Sequence, residues 1–344
     1  MTSKSLFNIV NEVLSSKYDI VKPLGRGAFG TVYLVKDDDG NKLAMKRIPW
    51  QGKANYVSAI RESRAFAITR NHAHVVELID GYADENYAYY VMEYCDGGDL
   101  NNYLLKRPYD LELNLRCMSQ MADAVSFLHH SNVTHRDLKP ANILVKIRPD
   151  SMDIVKVTGF AVATTLDKRL LTDSKEESGE YTAYYQSVEG TEAFVAPEVY
   201  KKQYSFKMDI FALGVIFLAM LEREVYTYSD SNKNLMAFYN YEDADNGKTS
   251  YIGKILAENS NAVRQLDDEV TAGQGLRQLI NIMIARDPEK RPTGDEIFAT
   301  LREVSNGPQI IVKTGCCYCR RCSRDSRGFC FNLWCCCCIL FGCS

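Results

Sequence analysis

An α+β chain of two lobes is what the sequence predicts: a small lobe of antiparallel strands, then a larger helical lobe. Three observations carry this. Up to Glu93, short segments rich in β-branched and aromatic residues alternate with glycine turns. Beyond Asp99, apolar residues recur at three- and four-residue steps. Further on, Asp209–Leu221 is apolar almost throughout yet too short to cross a bilayer, which suits a helix buried on all sides. The domain plan is a lead (1–17), a folded body (18–305, with lobes at about 18–95 and 96–305) and a cysteine-rich tail (306–344).

In order, Tyr18–Leu24, Thr31–Lys36 and Lys42–Ile48 read as strands, the last two joined through the Asp39-Gly40 turn. A helix is predicted over Tyr56–Thr69 and strands near Val75–Tyr82 and Tyr87–Glu93. Leu111, Leu115, Met118, Ala122, Val125 and Leu128 fall on one helix face. Leu276–Ala285 and Gly294–Val304 follow as helices, with Arg286-Asp287-Pro288 and Arg291-Pro292 between them. Ligands favour the crevice between two such lobes.

Composition excludes several classes. Of 344 residues, 46% are hydrophobic, which rules out a disordered or collagen-like chain. A net charge of −3 gives no support to a nucleic-acid binder that works by overall basicity. Met1–Ser16 lacks a basic flank followed by an apolar block, so no secretory signal is expected and the cytoplasm is the default compartment. Only Cys95 and Cys117 of the twelve cysteines precede residue 316, so the body reads as reduced.

Three motifs carry chemistry. Gly25-Arg26-Gly27-Ala28-Phe29-Gly30 leads into a strand pattern, Thr31-Val32-Tyr33-Leu34-Val35. It therefore reads as a flap between strands whose bare backbone can approach phosphates; an ordinary glycine hairpin explains the pattern equally well. Lys46, on the strand Leu43-Ala44-Met45-Lys46, can hold phosphates as a point charge, and Glu62 on the following helix can aim it. Glu77 and Glu85 are weaker rivals for that role, and a solvated helix face is the plain alternative for Glu62. The strongest signal is His135-Arg136-Asp137-Leu138-Lys139-Pro140-Ala141-Asn142, followed by the strand Ile143-Leu144-Val145. Asp137 can accept a proton from an attacking hydroxyl, Lys139 can neutralise a transferring phosphoryl group, and the Asn142 oxygen can hold a metal.

With these residues in order, the body resembles a eukaryotic protein kinase of the serine/threonine type, the type indicated by Lys139, Pro140 and Asn142. Ala196-Pro197-Glu198, Asp209 and Arg291 extend the likeness. Glu93–Leu100 and Asp209–Val215 are most similar to the PDLIM-interacting-kinase-like branch. The resemblance implies a bilobal kinase fold, ATP and Mg²⁺ as cofactors, and a protein hydroxyl as substrate. It implies catalytic roles for Asp137, Lys139, Lys46 and Glu62. It also implies an ATP site of Leu24, Gly25, Gly27, Gly30, Val32, Ala44, Lys46, Met92, Glu93, Cys95 and Leu144, with the backbone at Glu93 and Cys95 binding adenine. Glu198 and Arg291 are expected to pair, Asp209 to hold the catalytic loop, and Thr191 to contact Asp137 and Lys139.

One position departs from the family. After Ile154-Val155-Lys156-Val157 comes Thr158-Gly159-Phe160, so Gly159 stands where the metal-binding aspartate belongs. Mg²⁺ is a hard ion, and Asn142 alone is a neutral ligand; Asp153 and Asp167 are the nearby carboxylates. Two readings follow: a working kinase whose metal is held by Asn142, the ATP phosphates and water, or a pseudokinase scaffold that binds nucleotide weakly or not at all. The segment from Gly159 to Glu198 carries Thr172, Ser174, Ser178, Tyr181, Thr182, Tyr184, Tyr185 and Thr191 among acidic residues, and reads as a polar surface insert or a phosphorylated one answered by Arg136.

The tail is a different material. Cys316, Cys317, Cys319, Cys322, Cys330 and Cys335–Cys338 crowd beside Phe329, Phe331, Trp334, Ile339 and Leu340. Cys319 and Cys322 have a chelating interval, but four consecutive cysteines suit tetrahedral zinc badly. Acylation at Cys335, Cys336, Cys337 and Cys338, beside the basic patch Arg320, Arg321, Arg324 and Arg327, would supply two membrane-anchoring signals. A peripheral membrane surface is thus an expected partner, with zinc binding and a plain apolar tail as the alternatives.

Overall fold

A computed structural model of the chain describes residues 17–149, 152–165, 191–229, 232–241, 248–266 and 273–306. The chain divides into two units, Met1–Gly307 and Pro308–Ser344, and every described residue belongs to the first. The acylation candidates Cys335, Cys336, Cys337 and Cys338, the segment 166–190 and Asp167 lie outside the described residues.

Strands β1 (Asp19–Gly27), β2 (Gly30–Lys36), β3 (Lys42–Pro49), β4 (Leu78–Ala83) and β5 (Tyr87–Glu93) form an antiparallel sheet in the order β1-β2-β3-β5-β4. Tyr18, Val35, Met45 and Val91 pack on one face under Tyr33, Leu43, Tyr82 and Tyr89. Ala88, Tyr90 and Met92 alternate onto the other face, as the period of two requires, and join the main core with α1 (Lys53–Ile68). This helix starts before the predicted Tyr56, because Gly52 at φ 89° turns the chain directly into it. Val75 does not join the sheet. It pairs with Val157, and Val76 donates to the Val157 carbonyl at 2.9 Å, so β4 begins only at Leu78.

The large lobe runs β6 (Gly98–Asp99), α2 (Leu100–Leu105), α3 (Leu111–His130), β7 (Val133–Thr134), β8 (Ile143–Lys146), β9 (Ile154–Val157) and β10 (Thr164–Thr165). Asp110 caps α3 by accepting from the Leu113 amide at 3.1 Å, which sets the start that the apolar face predicted. After the undescribed segment come α4 (Lys207–Glu222), strands β11 (Glu224–Ser229), β12 (Asn232–Met236), β13 (Phe238–Tyr241) and β14 (Lys248–Tyr251), then α5 (Ile252–Glu258), α6 (Gln274–Met283) and α7 (Gly294–Asn306). Helix α4 is buried from Met208 to Leu221. Gly214 lets it touch α6, since a Cβ there would sit 2.8 Å from Met283. The pairs β11–β12 and β13–β14 escape the sequence reading. A tertiary contact helps to seat the first of them: the Asn101 side chain donates to the Lys233 carbonyl at 2.6 Å and accepts from the Leu235 amide at 2.7 Å.

The expected pair of Glu198 and Arg291 is present. Arg291 is fully buried and meets the carboxylate through two parallel bonds of 2.6 and 2.8 Å. Arg291→Ala or Glu198→Ala is expected to cost about 3–5 kcal/mol in urea unfolding, because the surviving partner is left as a buried lone charge. A loss below about 1 kcal/mol is the value for an exposed pair and would contradict the assignment.

Candidate active site

The crevice between the lobes is built from short-range pieces. β1 and β2 close on the pair Gly27 and Gly30, making the glycine segment a strand-to-strand flap. A Cβ on Gly30 would overlap the Arg47 carbonyl, whereas Gly25 and Gly27 face open space. Of the side chains expected around a nucleotide, Leu24 is exposed, Val32 and Leu144 are half-buried, and Ala44 and Met92 are buried. Lys46 lies mid-strand, between Val32 of β2 and Tyr90 of β5. Its ammonium donates to both oxygens of Glu62 at 2.6 and 2.8 Å, and Glu62 is buried on α1, which settles the choice against Glu77 and Glu85.

Glu93 does more than the sequence suggested. Beyond its expected backbone part, its buried carboxylate sits 2.5 Å from Lys156 and 2.7 Å from Lys146, and accepts from the Glu77 amide at 3.0 Å. Burial works against this charge, but the two lysines and the amide hold its pKa below the usual range. The end of β5 is thereby clasped to β8 and β9. A lysine within a strand that is otherwise apolar, Ile154-Val155-Lys156-Val157, was the available signal. Cys95 is buried, and burial pushes its thiol up to about 12, which removes thiolate chemistry there.

The loop between β7 and β8 is bolted from below. Asp209, fully buried at the start of α4, accepts from the backbone amides of His135 and Arg136, each at 2.8 Å, and meets His129 at 3.0 Å. These bonds hold Arg136 in the left-handed region (φ 67°), which ordinary residues avoid. Asp137 follows, 7% exposed. Its carboxylate lies 3.1 Å from the Lys139 ammonium and accepts from the Asn142 amide at 2.9 Å. Lys139 also donates to Thr191 at 2.7 Å, which gives the Lys139 half of the expected Thr191 contact. His135 Nδ1 accepts from the Asp137 amide at 3.2 Å while Nε2 donates to the Thr158 carbonyl at 2.8 Å, so the ring is neutral. Burial pushes its pKa below the usual range. Phe160 lies between His135, tilted against it at 5.2 Å, and Phe66 of α1, which it meets edge to face at 5.4 Å. Glu62 lies one turn before Phe66, so one run of aromatic contacts links the Lys46–Glu62 pair to the Asp137 loop.

A family model described as the protein kinase domain matches residues 18–301. The chain belongs to the protein kinase family. Among its relatives, the probable serine/threonine-protein kinase zyg-1 of Caenorhabditis elegans is 33% identical over 207 residues, covering 60% of this chain and 27% of that protein. The zyg-1 protein of Caenorhabditis briggsae is 29% identical over 209 residues, with the same coverage of 60% and 27%. Calcium-dependent protein kinase 6 of Plasmodium berghei is 32% identical over 219 residues, 62% of this chain and 14% of that protein. The chain thus spans about a quarter or less of these curated relatives.

A kinase domain implies ATP and, with it, a divalent cation held by carboxylate and amide oxygens. The residues here do not fit a carboxylate-held Mg²⁺. Gly159 supplies no side chain. The Asn142 amide is turned onto Asp137, and the Asp137 carboxylate is already paired with Lys139. Asp153 is committed to the Tyr103 hydroxyl at 2.6 Å and the Arg148 amide at 3.0 Å. Among the described residues, no group of three His, Cys, Asp or Glu side chains converges.

Burial depresses the pKa of His72, His74 and His135 alike. Each ring binds a proton more weakly folded than unfolded. Their stabilising effect is complete above the unfolded value of about 6.5 and is lost as the pH falls below it. The melting temperature is expected to drop between pH 7.5 and 5.5; a flat profile over that window would contradict the neutral rings.

Proposed function

We propose that the chain is an ATP-dependent protein serine/threonine kinase. The observation that carries this is the convergence on Asp137: a buried carboxylate on a loop fixed by Asp209, with the Lys139 cation 3.1 Å away. Lys46, aimed by Glu62, holds the α- and β-phosphates, and the backbone at Glu93 and Cys95 binds adenine. The substrate hydroxyl gives its proton to Asp137 as its oxygen bonds the γ-phosphorus. The bond from that phosphorus to the β-phosphate oxygen breaks, and ADP leaves. Lys139 offsets the charge that develops on the phosphoryl oxygens. Lys139, Pro140 and Asn142 support serine or threonine as the acceptor, and the strings at Glu93–Leu100 and Asp209–Val215 support the PDLIM-interacting-kinase-like branch.

Gly159 favours a second reading, a pseudokinase scaffold. Full-length protein incubated with labelled ATP and a serine/threonine peptide library, under Mg²⁺ and Mn²⁺ separately, decides between them. Transfer is expected, and Asp137→Asn is expected to lower it by about 10²–10⁴-fold, the range for removing a general base. Absence of transfer under both ions, together with no thermal stabilisation by ATP, would establish the scaffold.

We further propose a cytoplasmic protein held at a membrane surface by acylation of Cys335, Cys336, Cys337 and Cys338. The apolar residues and arginines around them support it. Deleting residues 316–344 is expected to move the protein from the membrane to the soluble fraction of cells. A full-length protein that is already soluble and carries stoichiometric zinc would overturn this.

A further inference from the structure

The face of the small-lobe sheet turned away from the main core stays partly open. Directly paired residues share a face, so Ile20, Val35 and Leu43 line up across β1, β2 and β3, with Tyr33 and Met45 on the same side. Ile20 is 55% exposed there, and Tyr33, Leu43, Tyr82 and Tyr89 are half-buried. The polar ends of these tyrosines are already tied down. The Tyr82 hydroxyl donates to the Met45 sulfur at 3.3 Å, that of Tyr89 donates to Asp84 at 2.7 Å, and that of Tyr33 accepts from Arg47 at 2.8 Å. What remains of them for a partner is ring surface, with Tyr82 stacked on Tyr89 at 4.7 Å. The chain enters across this face. Tyr18 packs with Val35, Met45 and Val91, and its hydroxyl donates at 3.0 Å to the Asp80 oxygen that the Lys17 ammonium reaches at 2.7 Å. Residues 17 and 18 therefore lie over the sheet, and residues 1–16, outside the described residues, lead directly into them.

The sequence of that lead fits such a face. At 100° per residue, Leu6, Phe7, Ile9, Val10, Val13 and Leu14 fill one arc of about 160°, and Asn8, Asn11, Glu12, Ser15 and Ser16 fill the opposite one. Between Lys4 and Ser16 no polar residue falls in the apolar arc. These 13 residues make about 20 Å of helix, and five strands spaced at about 4.8 Å are about 19 Å across, so the length suffices to cross the sheet. We propose that the lead docks as an amphipathic helix on the outer face of the small lobe, its apolar arc against Ile20, Tyr33, Tyr82 and Tyr89, with the grip of Lys17 and Tyr18 on Asp80 as its anchor. A lipid surface suits this helix less. Interfacial helices carry Lys and Arg along the polar face, whereas Lys4 and Glu12 cancel here. The docked helix braces β2 and β3, the strands that carry Gly30 and Lys46. The proposal is independent of the kinase reading.

The test uses the full-length protein with the photoreactive residue p-benzoylphenylalanine in place of Val10. Irradiation is expected to give cross-links within one chain to peptides that hold Tyr33, Tyr82 or Tyr89. Ile20→Glu, at an exposed site, is expected to lower their yield. Amide hydrogen exchange is the second readout. Val10→Glu combined with Val13→Glu is expected to speed exchange in β1 and β2 by about tenfold or more and to lower the melting temperature. Asn8→Ser combined with Asn11→Ser, on the opposite arc, is expected to change neither. Both pairs lie outside the sheet, so its own packing is untouched. Cross-links between two copies would assign the apolar arc to a dimer contact and overturn the proposal. Cross-links confined to the large lobe would do so too, as would equal exchange and melting in the two pairs of variants. Binding to anionic phosphatidylserine vesicles that Val10→Glu with Val13→Glu abolishes, while exchange in the sheet stays the same, would assign the arc to lipid instead. None of these readouts involves phosphate transfer, so a failure of the kinase reading leaves the outcome here unaffected.

Discussion

The buried carboxylate of Asp209 is the point on which the site depends. It sits at the start of the most deeply buried helix and accepts backbone bonds from His135 and Arg136. Burial opposes its charge, but His129 and the backbone amide of Arg136 hold its pKa below the usual range. In return the loop is held in a conformation it would not choose, with Arg136 at positive φ. Asp137, Lys139 and Asn142 owe their shared orientation to that fixed backbone. The hydrophobic effect enters here indirectly: the apolar helix α4 anchors one carboxylate, and the carboxylate transmits that rigidity to polar groups at the surface of the crevice.

Buried charges recur at each joint between elements. Lys46 and Glu62 join β3 to α1, Glu93 with Lys146 and Lys156 joins β5 to the β8–β9 pair, and Glu198 with Arg291 joins the segment before α4 to the turn before α7. Such pairs add little net stability, because desolvation offsets most of the attraction. They penalise the alternatives strongly, since any other arrangement strands a charge away from water. Placed at joints, they restrict how the elements can be set against one another. That restriction is what a site assembled from β3, α1, the β7–β8 loop and the Phe160 turn requires. The edge-on and tilted contacts of Phe66, Phe160 and His135 tie α1 to the catalytic loop as well.

Much of this was legible before any coordinates. The strands at Tyr87–Glu93 and Ile154–Val157 follow from local composition and are found at those bounds. The place of α3 follows from its apolar face and the burial of α4 from an apolar run, while the Asp110 cap is seen only in the structure. The pairing of Lys46 with Glu62 follows from a strand and a helix that each carry one inward charge. Where sequence reasoning fell short, the deciding partner was distant in the chain. Val75 looks like a strand residue of the small sheet, but it pairs with Val157. The sequence reading used only the Glu93 backbone; its side chain is bound by Lys146 and Lys156, which arrive from the next lobe.

The sequence by itself determined the two-lobed order of strands then helices and the family, because periodicity, turn residues and compact motifs are local properties of a chain; the strands β11 to β14 were not among them. It also showed that residue 159 has no side chain. Only the tertiary structure decided what lies beside it. The Asn142 amide lies against Gly159 and bonds Asp137, an arrangement that exists only where the catalytic loop and the turn after β9 are brought together by the core beneath them.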